Sequence, residues 1–475
     1  MNQVSPNHST MSQISTIEEH QKGQYVSVGM LSLGCPKTLV DSELVLGLLD
    51  KDRYQVAEHI SNCDIALLNT CAFINEAKQQ SIDHILSLAE LKKEGRIKAL
   101  VVLGCLVQRY QKELENELGE VDAFVGTGDY QALNSVLDQV VQRKRISRVG
   151  HAPGFLYTSS IGRVPLTPYY TRYIKISEGC DHICSFCTIP SFRGKHRSRG
   201  LEDVVREAER LVEEGARELV LTGQDTTYFG RDTVHKFLLP ELLRELDKIK
   251  RLKWIRLLYA YPSCVDDRLI DAIGSLEKVC HYLDMPLQHI SDPILKSMRR
   301  GMTKKSTYAL IDKLRRRIPG LAIRTTFIVG YPGEGDQEFQ ELLEFMQMAR
   351  FDRLGMFTYS HEEGSHAALL DDQVPEKVKE ERFHAGMALQ QQISKENNRQ
   401  LIGKTLTIVI EGREEKDSKV YRGRSYMDAP EVDGLVYVRV PERINLSEGD
   451  FVSAKVKAAR EYDLTAAFLQ IESKE

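Results

Sequence analysis

Three apolar runs in the first 105 residues each lead directly into a cysteine: Leu33-Gly34-Cys35, Asn69-Thr70-Cys71 and Leu103-Gly104-Cys105. The cysteines are 36 and 34 residues apart, about one strand-plus-helix unit each. Tyr25–Leu33, Asp64–Asn69 and Lys98–Leu103 read as buried strands, and Thr38–Asp50, Asn75–Lys93 and Val107–Leu118 as the helices that follow them. Such alternation predicts a parallel α/β sheet with helices on its faces. The C-terminal strand ends of a parallel sheet lie on one edge, where open α/β sheets bind ligands. Cysteines from three distant segments are thereby brought to one crevice.

The same reasoning divides the rest of the chain. Residues 1–24, rich in Ser, Asn, Gln, Thr and His, read as a disordered tail without the basic start and apolar stretch of a signal peptide. Residues 25–140 are the N-terminal sheet domain. Residues 141–170, with a basic run and scattered Pro, Gly, Ser and Thr, read as a linker. From 171 to 400 strands are expected near Tyr173–Ser177, Glu218–Thr222, Trp254–Ala260, His281–Met285, Ala322–Val329 and Arg353–Tyr359, with a long polar helix, Pro375–Gln400, at the end. Six units suit a partial (β/α)6 barrel, since a closed eightfold one needs about 250 residues. Residues 401–475 change to short alternating strands with Gly-bearing turns, as in a small antiparallel β-barrel.

Composition (42% hydrophobic, 28% charged) is that of a soluble globular protein, with no apolar run near the ~20 residues of a membrane span. A cytoplasmic location is expected, and no membrane partner. Disulfides are rare in such a compartment, so the nine cysteines point to metal or catalysis. Cys180, Cys184 and Cys187 lie in one loop, Lys175 to Cys187, just past a predicted strand. Three thiolates can hold three irons of a cubane cluster and leave the fourth open to an exogenous ligand. A zinc site or an electron-carrying cluster is the alternative, but neither a fourth ligand at zinc-finger spacing nor a ferredoxin repeat is present. Cys63, Cys264 and Cys280 lack this arrangement and read as buried small apolar groups. His182 reads as a loop residue, and Arg193, Lys195, His196, Arg197 and Arg199 as a basic cluster open to RNA, cofactor carboxylates or solvent.

The CxxxCxxC loop, with Phe186 before its last cysteine, resembles the radical-SAM superfamily, whose core is a partial (β/α)6 barrel and whose open iron binds S-adenosylmethionine (SAM). The resemblance implies that Phe186 packs near the adenine. It also implies that Leu221–Asp225, with Gly223 and Gln224, lies along the methionine moiety, and that Ile328–Glu334 approaches the nucleoside. Together with Cys35, Cys71 and Cys105, the chain after residue 24 resembles the radical-SAM methylthiotransferases. These combine an N-terminal cluster domain, a radical-SAM core and a C-terminal TRAM barrel. That resemblance implies two 4Fe–4S clusters, one SAM used as methyl donor and one as radical source.

Ser32–Lys37, Val40–Glu43, Asn69–Ile74 and Arg424–Gly434 resemble the RimO type, which modifies the β-carbon of an aspartate in small-subunit ribosomal protein number twelve. Thr38 departs from the Asn common there. The tRNA adenosine methylthiotransferases are the alternative, usually with Gly-Cys-Gln where this chain has Gly34-Cys35-Pro36. Residues 401–475 hold 12 Lys plus Arg against 14 Asp plus Glu, too acidic a balance for a grip on an RNA backbone. Asp428, Glu431 and Asp433 are expected to suit a basic ribosomal protein docked on the TRAM barrel. A reducing electron donor, association with the ribosome and a monomeric state complete the expectations.

Overall fold

The computed structural model describes residues 25–150, 154–417 and 419–472; the tail expected over 1–24 lies outside them. The N-terminal domain is a six-stranded, all-parallel sheet in the order Tyr54–Val56, Val26–Ser32, Cys63–Thr70, Ile97–Gly104, Ala123–Val125, Ile146–Arg148. Its central strands are buried on both faces, which is why they read as continuous apolar runs. Ala66, Leu68, Leu100 and Val102 pack on Ile85 and Leu88 of the helix Asn75–Lys93. Val28, Leu67, Val101 and Leu103 pack on the opposite face with Val136 and Leu137 of the helix Leu133–Val141. Ile146–Arg148, inside the expected linker, pairs with Ala123–Val125 as the edge strand. Farther along the segment Tyr157 and Tyr170 are buried. Arg163 is buried between Glu43 (2.6 Å) and Glu207 (2.8 Å), so it ties the first domain to the second.

The second domain is a six-stranded parallel sheet whose strands lie side by side in chain order, from Thr171–Lys175 through Glu218–Thr222, Trp254–Leu257, Val279–Asp284 and Ala322–Val329 to Arg353–Thr358. The first and last strands do not pair, so the barrel is open, as the unit count predicts. Outward residues such as Ile174, Leu219, Leu221, Ile255, Leu283 and Ile323 form the largest core with the surrounding helices. Residues 405–471 close into a five-stranded barrel. It is antiparallel except between Val436–Arg439 and Leu464–Ile471, a parallel pair that completes the circle.

This small barrel docks against the inner face of the large one at the N-terminal ends of its strands. Tyr173, Val220, Trp254, Cys280, Tyr282 and Ala322 share one core with Ile408, Val436, Phe451 and Val452. Ion pairs frame that core. Glu218, fully buried, accepts from Arg424 (2.7 Å) and Arg256 (2.8 Å), and Arg256 also reaches the Tyr426 carbonyl. Here the structure corrects the acidic trio. Asp428 pairs with Arg353 at 2.5 Å, and Asp433 with Arg324 at 3.4 Å and the Tyr282 hydroxyl at 2.8 Å. Only Glu431 is exposed. The two aspartates neutralise arginines of the large barrel and do not face a partner.

Burial alone would raise the Glu218 carboxyl pKa, but Arg424 and Arg256 outweigh it and hold it at about 2. Its folded value lies below the ordinary carboxylate range. Its contribution is therefore complete above about 4.5 and is lost as pH falls toward about 2. Replacing Glu218 with Gln leaves the buried Arg256 without a counterion and Arg424 with Glu411 alone, at an expected cost of about 3–5 kcal/mol. A lower urea midpoint, followed by fluorescence of the single tryptophan Trp254 at this interface, checks it.

Candidate metal centres and the charged bridge between them

The sheet register aligns Ser32 with Asn69 and Asn69 with Leu103, so Cys35, Cys71 and Cys105 emerge from adjacent strands at one edge. Gly104 has φ +104°, and a Cβ there would come within 2.2 Å of Asn69 Oδ1, so glycine is needed for the turn into Cys105. Thr38 builds the Cys35 loop: its hydroxyl accepts from the Cys35 amide at 2.9 Å and donates to the Leu33 carbonyl at 2.8 Å. The departure at residue 38 is thus a working part of the turn. The Cys71 amide donates to Ser81 Oγ at 3.1 Å. Burial, then the neighbouring Cys35 and Cys105 thiols, push Cys71 up to about 12. Cys35 goes the other way: burial opposes ionisation, but the Lys37 ammonium and the Thr38 backbone outweigh it and lower its pKa.

The second triad, Cys180, Cys184 and Cys187, sits half-buried beyond the first strand of the large barrel. Burial pushes Cys180 and Cys187 up to about 12. The loop is pinned from three sides. The Ser185 hydroxyl pairs with the Tyr331 hydroxyl (2.8 Å), in the Gly330–Glu334 turn. Arg300 donates to Cys184 Sγ at 3.3 Å. His182 is neither a free loop residue nor isolated: its Nε2 lies 2.6 Å from Asp225 Oδ2, and its ring stacks on Tyr261 at 3.5 Å. The Cys264 sulfur joins this His–Asp pair to within 4.8 Å. Cys63 and Cys280 are buried, as expected.

Both triads fit a cluster better than a single ion. Thiolates on one zinc, at about 2.3 Å each, lie roughly 3.8 Å apart, yet neither triad converges to within 4.8 Å among the described residues. The residues expected to contact SAM fall into two groups. Phe186 packs beside Ile294, Met298 and Tyr331. A Cβ at Gly223 would meet Ser177 Oγ at 2.7 Å, and Gln224 donates to Glu178 at 2.9 Å. Ser177 Oγ, Thr222 Oγ1 and Gln224 Oε1 are buried without a partner. Buried polar atoms are nearly always satisfied, so this set at two adjacent strand ends suits the polar end of a ligand such as SAM.

In the sequence Arg193 belongs to a basic run open to RNA, cofactor carboxylates or solvent. The structure buries it, with Arg199 and His196, while Lys195 is exposed and Arg197 half-buried. Arg199 pairs with Glu207 and Asp203. Arg193, six residues past Cys187, donates to Cys105 Sγ at 2.9 Å and to Asp41 at 2.7 Å, with Glu178 at 3.3 Å. Lys175 bridges the same two carboxylates. Burial disfavours the charged Glu178, but Lys175 and Arg193 outweigh it and keep its carboxyl well below the usual range. One charged cluster therefore links a cysteine of the first triad, the loop of the second and, through Gln224, the strand end with the unpartnered polar atoms.

Residues 174–346 match the Radical SAM superfamily, 27–126 the Uncharacterized protein family UPF0004 and 402–469 the TRAM domain. A protein of Citrifermentans bemidjiense named ribosomal protein uS12 methylthiotransferase RimO is 48% identical over 437 residues, spanning 92% of this chain and 97% of its own. The chain belongs to the RimO family. RimO proteins of Geobacter sulfurreducens (48% identity, 92% of this chain and 97% of its own) and Desulforamulus reducens (45%, 94% and 100%) agree. A radical S-adenosylmethionine methyltransferase, TsrM from Kitasatospora setae, shares the fold with a TM-score of 0.52 at 16% identity, covering 71% of this chain and 75% of that one. As a RimO-family member the chain is a radical-SAM methylthiotransferase. Replacing Arg193 with Met strips one cation from two buried carboxylates and is expected to cost about 3–5 kcal/mol in urea denaturation. Arg193→Lys keeps the charge, loses the planar fork and should restore only part.

Proposed function

We propose that the chain methylthiolates the β-carbon of an aspartate in ribosomal protein uS12, small-subunit ribosomal protein number twelve. The observation that carries the reading is the pair of cysteine triads joined through Arg193, in a chain whose relatives are named for this modification. We assign Cys180, Cys184 and Cys187 to the radical-generating 4Fe–4S cluster and Cys35, Cys71 and Cys105 to an auxiliary one. When bound, these groups supply a 5′-deoxyadenosyl radical from one SAM and a sulfur carrier methylated by another.

The chain's own residues bind, hold and shield. Ser177, Thr222 and Gln224 offer buried polar atoms to the methionine end of SAM, Gly223 leaves it room, and Phe186 lies at the adenine side. Arg193 and Arg300 donate to the Cys105 and Cys184 sulfurs, which fixes the direction those side chains face. Hydrogen-atom removal demands no general base. No helix among the described residues is long and apolar enough to cross a membrane. A reducing electron donor, a monomeric state, a cytoplasmic location and contact with the ribosome belong to the same proposal. Asp428 and Asp433 are occupied internally, so any grip by the C-terminal barrel on this basic substrate uses other residues.

Mass spectrometry of uS12 from cells lacking the gene is expected to show the methylthio-aspartate gone. Its retention sinks the proposal, and loss of a methylthio base from tRNA instead would establish the tRNA adenosine reading. In reconstituted protein, replacing all of Cys35, Cys71 and Cys105 with Ala should lower iron from about eight to about four per chain.

A further inference from the structure

We propose that the Lys37 ammonium is the receptor for the carboxylate of the aspartate being modified, an inference that rests on the protein-substrate reading above. Lys37 lies two residues past Cys35, in the first turn of the helix Pro36–Gly47, a turn that contains no acidic residue. The helix N-terminus adds its own positive potential. The Lys37 Nζ sits 3.4 Å from the centroid of the Tyr259 ring, across the boundary between the first domain and the barrel. Among the described residues no carboxylate lies at ion-pair distance from it. The other buried cations nearby are neutralised: Arg193 by Asp41 and Glu178, Lys175 by the same pair, Arg324 by Asp284. A partly buried charge without a counterion is costly, and a cation on an aromatic face offsets only part of that cost.

The Lys37 ammonium favours the Cys35 thiolate, yet it is not aimed at that sulfur. Arg193 and Arg300 come within 2.9 and 3.3 Å of their cysteine sulfurs, whereas the Lys37 ammonium ends on the Tyr259 ring of the barrel. Its platform is built for the task. Tyr259, just past the strand Trp254–Leu257, holds φ +59°, an uncommon value for a residue with a side chain. Three contacts keep it there: the Thr226 amide donates to the Tyr259 carbonyl at 3.1 Å, the Thr226 hydroxyl lies 3.3 Å from it, and the Tyr259 amide donates to Asp284 at 3.1 Å. Strain of this kind is characteristic of functional sites. The lysine thus presents its charge at the barrel mouth, beside the auxiliary triad. An aspartate held there by its carboxylate has its β-carbon one bond away, close to the auxiliary triad. Asparagine, which is uncharged, gains little from the same ammonium.

A carboxylate at this place has a second source, the methionine end of SAM, and the test separates the two. Cluster-loaded full-length protein is compared as wild type, Lys37→Met and Lys37→Arg. Binding is measured for recombinant uS12 with its target aspartate, for uS12 with that aspartate replaced by asparagine, and for SAM. Wild type is expected to prefer the aspartate form by about tenfold. Lys37→Met should bind both forms equally, by weakening only the first, while Lys37→Arg keeps the preference. SAM affinity, iron content and the electron paramagnetic resonance signals should stay unchanged. A preference that survives in Lys37→Met overturns the proposal, as does a loss of SAM affinity with the preference intact. Should Lys37→Met lose iron, wild type decides: equal binding of the two forms overturns it. A wild type that neither binds nor modifies uS12 is a different result, and removes the substrate reading itself.

Discussion

Two carboxylates and two cations, Asp41 and Glu178 with Arg193 and Lys175, set the geometry on which the chemistry depends. All four are buried, and they come from two distant segments of chain. Arg193 and Lys175 bracket the cysteine loop of the barrel, while Asp41 belongs to the helix that follows Cys35. Their mutual neutralisation fixes how the first domain sits on the second, and so where Cys105 lies relative to Cys187. Compared with well-packed apolar residues such a cluster adds little net stability. What it does supply is direction: a guanidinium fork satisfied by a sulfur and two carboxylates fits in one orientation only.

The same economy holds at the other end of the barrel. Arg256, Arg353 and Arg424 are buried against Glu218 and Asp428, and each pair joins residues from separate domains or strands. The Arg424–Gly434 segment therefore does structural work, fastening the small barrel in place.

The readable parts of the sequence were those governed by local periodicity. Apolar runs of strand length, helices of regular spacing and cysteines at strand ends follow from backbone geometry, so the open barrel and both triads could be placed before any coordinates. Long charged side chains obey no such rule. Whether Arg193 points inward depends on Asp41, 152 residues earlier, and Asp428 finds its arginine 75 residues away. A run of basic residues and a knot of acidic ones consequently looked like surface features, although most of them are interior. Ile146–Arg148 was hidden for a related reason: three residues in a polar stretch carry too little pattern to reveal a strand that exists through its neighbour.

The small barrel occupies the N-terminal strand ends of the large one, while the cysteines lie past the opposite ends. The two ends are separated by at least a strand's length, about 17–20 Å for five or six residues. A partner that touches the C-terminal barrel and also offers a side chain to the cysteines has to reach around the outside over that span. A short peptide is long enough for one of these contacts, whereas a folded protein with an extended loop is long enough for both.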